Sequence, residues 1–197
     1  VDSNLFFSIF KIGRLILQNM AYYLKISKRY SGPLTPATLL RKKILDSLDS
    51  SECVQSDFIR RKKYQAGVKK DTKKFQDAKR EFYNNIKDSD YVLCVRGTGN
   101  FSARFYETLS LGRIPVFIDT DCVLPYRNLI DWNKHIVWVK ENEILEIDKK
   151  IIKFHNNLNP ESFIMLQNQN RKLWEDYFSF PGHMNKILID IKEELYS

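Results

Sequence analysis

Tyr91-Val92-Leu93-Cys94-Val95-Arg96-Gly97-Thr98-Gly99-Asn100-Phe101-Ser102-Ala103-Arg104-Phe105-Tyr106-Glu107-Thr108-Leu109-Ser110-Leu111-Gly112-Arg113-Ile114-Pro115-Val116-Phe117-Ile118 is the stretch that sets the architecture. It opens on a continuous β-prone apolar run, 91–95, as expected for a strand buried on both faces. A loop with two glycines follows, and Ser102 is then placed to cap a helix. Phe105, Leu109 and Leu111 give that helix a buried side, and Gly112 can take the left-handed conformation that ends it. A second apolar run, 114–118, comes at once, with Pro115 tolerable at the start of a strand. Strand, helix and strand in so short a span form a βαβ unit, so the two strands should be parallel neighbours.

A third strand is predicted over 136–139, after a loop containing Pro125, Asn128 and Asp131. Helices are predicted over 144–158, 160–178 and 184–195, the second with Pro160 in its first turn. Upstream, Leu39, Leu40, Ile44, Leu45 and Leu48 recur at helical spacing, with Arg41, Lys42 and Lys43 between them. The segment 58–88 reads as a basic helix broken near Gly67, its apolar face marked by Phe75, Ala78, Phe82 and Ile86. The basic residues around that face read as solvated. Lys28 to Pro33 reads as a basic loop.

The most apolar stretch is 5–24, yet Lys11 and Arg14 fall inside it. Two interior charges are costly in a spanning helix, and a signal peptide carries its charges before the apolar run. The segment 1–27 therefore reads as an amphipathic helix or linker. It would pack on the domain or touch a membrane surface peripherally. The main domain is expected over 28–197.

Hydrophobic residues make up 43% and charged residues 28% of the 197, which suits one packed globular domain. A formal charge of +8 favours anionic partners without choosing among nucleic acid, phosphorylated metabolites and an acidic membrane. Cys53, Cys94 and Cys122 form no CxxC and no metal-ligand cluster with histidine, so they read as reduced, structural thiols. The chain starts at Val1, which reads as a piece of a longer protein.

In open parallel sheets, ligands bind beyond the carboxyl ends of the strands. Two loops leave that edge, 96–101 and 119–123, and they should lie close in space. In the first, Gly97 and Gly99 permit close backbone approach, and Ser102 opens a helix whose free N–H groups favour an anion. Arg96 and Arg104 flank this turn, and arginine suits bidentate phosphate contacts. Glu107, three residues past Arg104, shares its face of the helix and could accept hydrogen bonds from a ribose diol. The plainer alternative is a surface ion pair worth under about 1 kcal/mol. The loop is not a P-loop, because Gly-Lys-Ser/Thr is absent, and it departs from GxGxxG at Ser102.

The string Arg96-Gly97, Gly99, Ser102, Arg104, Glu107, Leu109, Gly112 and Ile114-Pro115-Val116, followed by the acidic stretch Asp119 to Pro125, resembles the exostosin-type glycosyltransferase signature. The resemblance is dense from about Asp88 to Lys140. It implies a GT-B enzyme of two Rossmann-like domains, with this chain the donor-binding one: a Rossmann-like parallel sheet flanked by helices, with extra helices at both ends. It further implies a UDP-sugar donor whose diphosphate meets Arg96 and Arg104 and whose ribose meets Glu107. The acceptor would be a glycan or polysaccharide. No metal or other cofactor is required, since side chains and a helix N-terminus neutralise the leaving diphosphate. The general base is expected in an N-terminal acceptor domain outside this chain. The resemblance fits a cytoplasmic or peripheral membrane-face location in a bacterium and the Golgi lumen in a eukaryote.

Two rival readings concern other residues. Asp119 and Asp121 form a DxD that could hold Mg²⁺ or Mn²⁺, although acidic residues also end strands as simple turn formers. The run Arg60-Arg61-Lys62-Lys63, with Lys69, Lys70, Lys73 and Lys74, could follow a nucleic-acid backbone. Against that, Glu107, Asp119 and Asp121 would repel the phosphates, so no nucleic-acid partner is expected. His135, His155 and His183 stand singly and read as structural or exposed.

Overall fold

A computed structural model describes residues 5–27, 35–60, 72–97 and 99–196. Strands β1 (Tyr91–Cys94), β2 (Ile114–Asp119) and β3 (Val137–Lys140) form one parallel sheet in the order β1-β2-β3. Tyr91 sits against Ile114 and Cys94 against Phe117, then Val116 against Val137 and Asp119 against Lys140. Around the sheet lie α1 (Leu5–Tyr23), α2 (Ala37–Asp49), α3 (Lys73–Lys87), α4 (Ala103–Ser110), α5 (Ile147–Asn156), α6 (Pro160–Leu173) and α7 (Phe180–Tyr196). The fold is α/β and Rossmann-like, as the strand-helix-strand pattern predicts.

Side chains on a strand alternate between the two faces, and β2 shows what that does here. Ile114, Val116 and Ile118 join Leu40 and Ile44 of α2 and Ile147 of α5 in one core. Phe117 points the other way, into a second core with Phe105 and Leu109 of α4 and Trp132. Both faces are covered, which is why the strands read as unbroken apolar runs.

The crossover α4 ends where Gly112 adopts φ +65°. Its N–H donates to Leu109 O at 3.0 Å, and Arg113 N donates to Thr108 O at 3.0 Å, closing the last turn. A Cβ on Gly112 would lie 3.0 Å from Gln167 O of α6. Gly112→Ala should therefore lower the unfolding free energy by about 1–3 kcal/mol, the left-handed cost plus the crowding. Urea denaturation is the check, and a loss below about 0.5 kcal/mol would show that α6 yields freely.

Several boundaries differ from the sequence reading. Helix was expected from Phe58, but residues 51–60 are non-helical and the helix begins at Lys73. Thr72 caps it, its Oγ1 accepting Phe75 N at 3.2 Å. Val54 and Phe58 pack on the first core, while Asn85 of α3 donates to Asp57 O at 3.0 Å. These tertiary contacts hold the segment non-helical and override the helical reading from Phe58. Arg61 to Lys70, with the expected break at Gly67, lies outside the described residues, as does the Lys28–Pro33 loop. Downstream, a 3-10 stretch (Glu141–Glu146) precedes α5, and a π-turn (Trp174–Phe178) separates α6 from α7. The widened turn is closed by Ser179 N to Trp174 O at 2.8 Å. It carries Phe178 against Tyr106 and Trp132, with ring centroids 5.2 and 6.1 Å apart.

Asn170 of α6 has no exposed surface. Its amide donates to Arg113 O at 3.1 Å and His135 O at 3.0 Å, and its carbonyl meets His135 Nδ1 at 2.9 Å. One side chain thus pins α6 to the amino ends of β2 and β3, and His135 is structural. On α1, Phe10, Leu17 and Tyr23 remain exposed. Among the described residues, no helix is long and apolar enough to cross a membrane.

Candidate functional site

Beyond the carboxyl end of β1 the chain turns tightly, Gly97 N donating to Phe101 O at 3.0 Å. A Cβ on Gly99 would come within 3.0 Å of the Phe101 ring, whereas one on Gly97 would have room, 4.0 Å from Phe101 O. Asn100 ties this loop to the one after β2. Its amide donates to Thr120 O at 2.9 Å and Asp121 O at 3.2 Å, and its carbonyl accepts Thr120 Oγ1 at 2.7 Å. The two loops at the carboxyl edge do lie together. Asn100 carries no local signal of this, because its partners lie 20 and 21 residues away.

Ser102 occupies the N-cap position of α4 and is buried, but its hydroxyl makes no capping bond. Its carbonyl instead takes Phe105 N at 3.2 Å. The expected side-chain cap is replaced by a backbone turn, which leaves the hydroxyl without a role in the first turn.

The three charged residues of the turn occupy different settings. Arg96 is 7% exposed and its guanidinium donates to Thr35 O, just ahead of α2. Arg104 is exposed on α4, with its Cζ 4.8 Å from the centroid of the Phe82 ring on α3. A cation over that face gains about 0.5–1 kcal/mol at an exposed site, enough to park the side chain without fixing it. Glu107 shares the exposed side of α4. Partial burial pushes its carboxyl pKa up, and neighbouring Arg104 opposes the shift. The pair is therefore close enough to interact, and Arg104 keeps Glu107 more acidic than burial alone would.

Arg41 also reaches this edge. It sits on α2 and donates from Nη2 to Val95 O at 3.5 Å, a long bond. Sequence periodicity assigned it only to the polar side of its helix. Arg41 to Val95 and Arg96 to Thr35 are reciprocal links between α2 and the end of β1, and neither leaves a local trace.

Asp119 is occupied by turn formation. Its Oδ1 accepts Asp121 N at 3.0 Å and its Oδ2 accepts Trp138 Nε1 at 3.1 Å, while Asp121 takes φ +61°. Among the described residues, no three His, Cys, Asp or Glu side chains converge as metal ligands. All three cysteines are free. Burial pushes the Cys94 thiol up to about 12, so it stays protonated against Thr108 Oγ1 at 3.6 Å and is no nucleophile. His155 and His183 pair with tyrosine hydroxyls, Tyr91 at the amino end of β1 at 3.0 Å and Tyr126 at 2.9 Å.

Fold and site together define a parallel α/β domain with an arginine-flanked, glycine-bearing turn at its carboxyl edge. The profile of the exostosin GT47 domain matches residues 25–153, and the chain belongs to this exostosin-type glycosyltransferase family. Exostosin-1 of Drosophila melanogaster is 32% identical over 103 residues, which cover 52% of this chain and 13% of that protein. Exostosin-1c of Danio rerio is 28% identical over 142 residues, 65% of this chain and 18% of that protein. Exostosin-1 of Bos taurus is 30% identical over 101 residues, 51% of this chain and 13% of that protein. The chain thus spans less than a fifth of the length of these relatives.

Proposed function

We propose that this chain is the nucleotide-sugar-binding half of a glycosyltransferase that moves a sugar from a UDP-type donor to a glycan acceptor. The observation that carries the reading is the gathering of Arg96, Arg104 and Glu107 around one turn at the carboxyl end of β1, in a member of the exostosin family. Arg104 is an accessible cation for the diphosphate. Arg96, buried behind it, holds the turn and adds its charge. Glu107 accepts from the ribose hydroxyls, and Gly97, Gly99 and Ser102 shape the backbone between them. We read 28–197 as the donor domain and α1 as an addition to it, since the family match begins at residue 25.

In the transfer, the bond from the anomeric carbon to the diphosphate oxygen breaks and one to an acceptor hydroxyl oxygen forms. The acceptor proton passes to a base on the facing domain of a GT-B enzyme. This chain's share is to stabilise charge on the departing diphosphate with its guanidinium groups, for which no metal ion is needed.

Arg104→Ala should weaken UDP binding by about 30-fold or more and leave uridine nearly untouched, since a charged partner of the phosphate is lost. Glu107→Gln should weaken both, because the ribose is common to them. Calorimetric titration of folded variants, with circular dichroism as the folding control, checks this. Wild-type UDP affinity in both variants would remove Arg104 and Glu107 from the donor site and leave them as neighbouring surface charges.

A further inference from the structure

We propose that Arg41 is a third arginine of the donor site, and that with Arg104 it engages a nucleoside diphosphate in preference to a monophosphate. This rests on the donor-site reading above and extends it to a residue outside the Arg96 to Val116 string. Arg41 comes from α2 and Arg104 from α4, so the two cations reach the end of β1 from separate elements.

Arg41 is accessible at the surface, and its long bond to Val95 O, 3.5 Å, leaves its remaining N–H donors open to a ligand. The positive charge of Arg104 is near enough to lower the Arg41 pKa, in addition to the larger effect of partial burial. Among the described residues, no carboxylate lies within 4.0 Å of either guanidinium. The fold therefore holds two like charges near each other without a paired counter-ion. A polyanion bridging them relieves that repulsion and gains charge-assisted hydrogen bonds.

The number of accessible cations favours two phosphates over one. Arg41 and Arg104 are both exposed, whereas Arg96 is buried behind them. A nucleoside brings no charge to this pair, and a monophosphate brings one phosphate group for two accessible guanidiniums. A diphosphate supplies one group for each.

The test is calorimetric titration of the full chain with UDP, UMP and uridine, in wild type, Arg41→Gln, Arg41→Lys and Arg104→Ala. Arg41→Gln should weaken UDP by about 10- to 100-fold, the loss of one or two charge-assisted bonds, and UMP by clearly less. Uridine should be unaffected, and Arg41→Lys should recover part of the UDP loss because it keeps the charge without the fork. Equal losses for UDP, UMP and uridine would make Arg41 a structural residue of α2 and overturn the proposal. If Arg41→Gln binds UDP as wild type while Arg104→Ala does not, the proposal fails and the donor site stands. If neither variant alters UDP binding, the donor-site reading falls with it. Should Arg41→Gln not fold, the UDP-to-uridine selectivity of Arg41→Lys decides: unchanged selectivity overturns the proposal.

Discussion

Arg96→Ala is expected to lower the unfolding free energy by about 2–4 kcal/mol and to reduce UDP binding below detection. Arg96 is 7% exposed and its guanidinium donates to Thr35 O, linking the entry to α2 with the end of β1. Removing it deletes a charge-assisted bond, worth about 1.5–3 kcal/mol, and leaves a void in place of a long side chain. The nucleotide effect follows because the turn that leads to Arg104 and Glu107 starts at Arg96, so the helix start that carries both would shift. Urea denaturation followed by circular dichroism gives the stability, and calorimetry with UDP at a temperature where the variant is folded gives the binding. Arg96→Lys, which keeps a charge but not the planar fork, should fall between. A folded Arg96→Ala with wild-type stability and wild-type UDP affinity would remove Arg96 from both roles.

The other large effect is at the opposite edge of the sheet. Asn170→Leu should cost about 3–5 kcal/mol, lowering Tm by about 10 °C for a domain of this size. The amide links Arg113 O, His135 O and His135 Nδ1 at 2.9–3.1 Å from a position with no exposed surface. Leucine fills a similar volume, so nearly the whole loss comes from three part-buried polar groups that lose their partner. Asn170→Asp separates the causes: it keeps the shape, yet it turns both donor contacts into repulsion between oxygens and should cost at least as much. UDP affinity of the folded fraction should be unchanged in both, because Arg113 and His135 lie at the amino ends of β2 and β3. Thermal melts with and without UDP supply both readouts. A Tm within 2 °C of wild type for Asn170→Leu would show that solvent or a shifted α6 satisfies those groups.

Much of the candidate site is legible in the sequence because its carriers are neighbours along the chain. Arg104 and Glu107 are three residues apart on α4, and helical geometry alone places them on one side. Arg96 was recognisable by position, but not its burial, because what covers it is Thr35 and α2, 61 residues back along the chain. In sequence Arg41 stands with Lys42 and Lys43 as one of three basic residues between apolar helix positions. Its reach to Val95, 54 residues on, has no periodic trace. The Asp119-Thr120-Asp121 segment admitted both a metal and a turn in sequence. Its bonds within the turn and to Trp138 are those of a turn former.

By itself, the sequence determined the parallel β1-α4-β2 unit, since each signal in it is local. Unbroken apolar runs need burial on both faces, apolar spacing in α4 names the side that packs, and Gly112 takes a φ of +65° that other residues resist. Only the tertiary structure decided the non-helical path of 51–60, where Val54 and Phe58 pack on the first core. Packing likewise decided the clasp of Asn100 on Thr120, the burial of Arg96 and the arrival of Arg41. Each joins residues 20 or more apart, and such contacts are set by how the layers stack, not by any rule that runs along the chain.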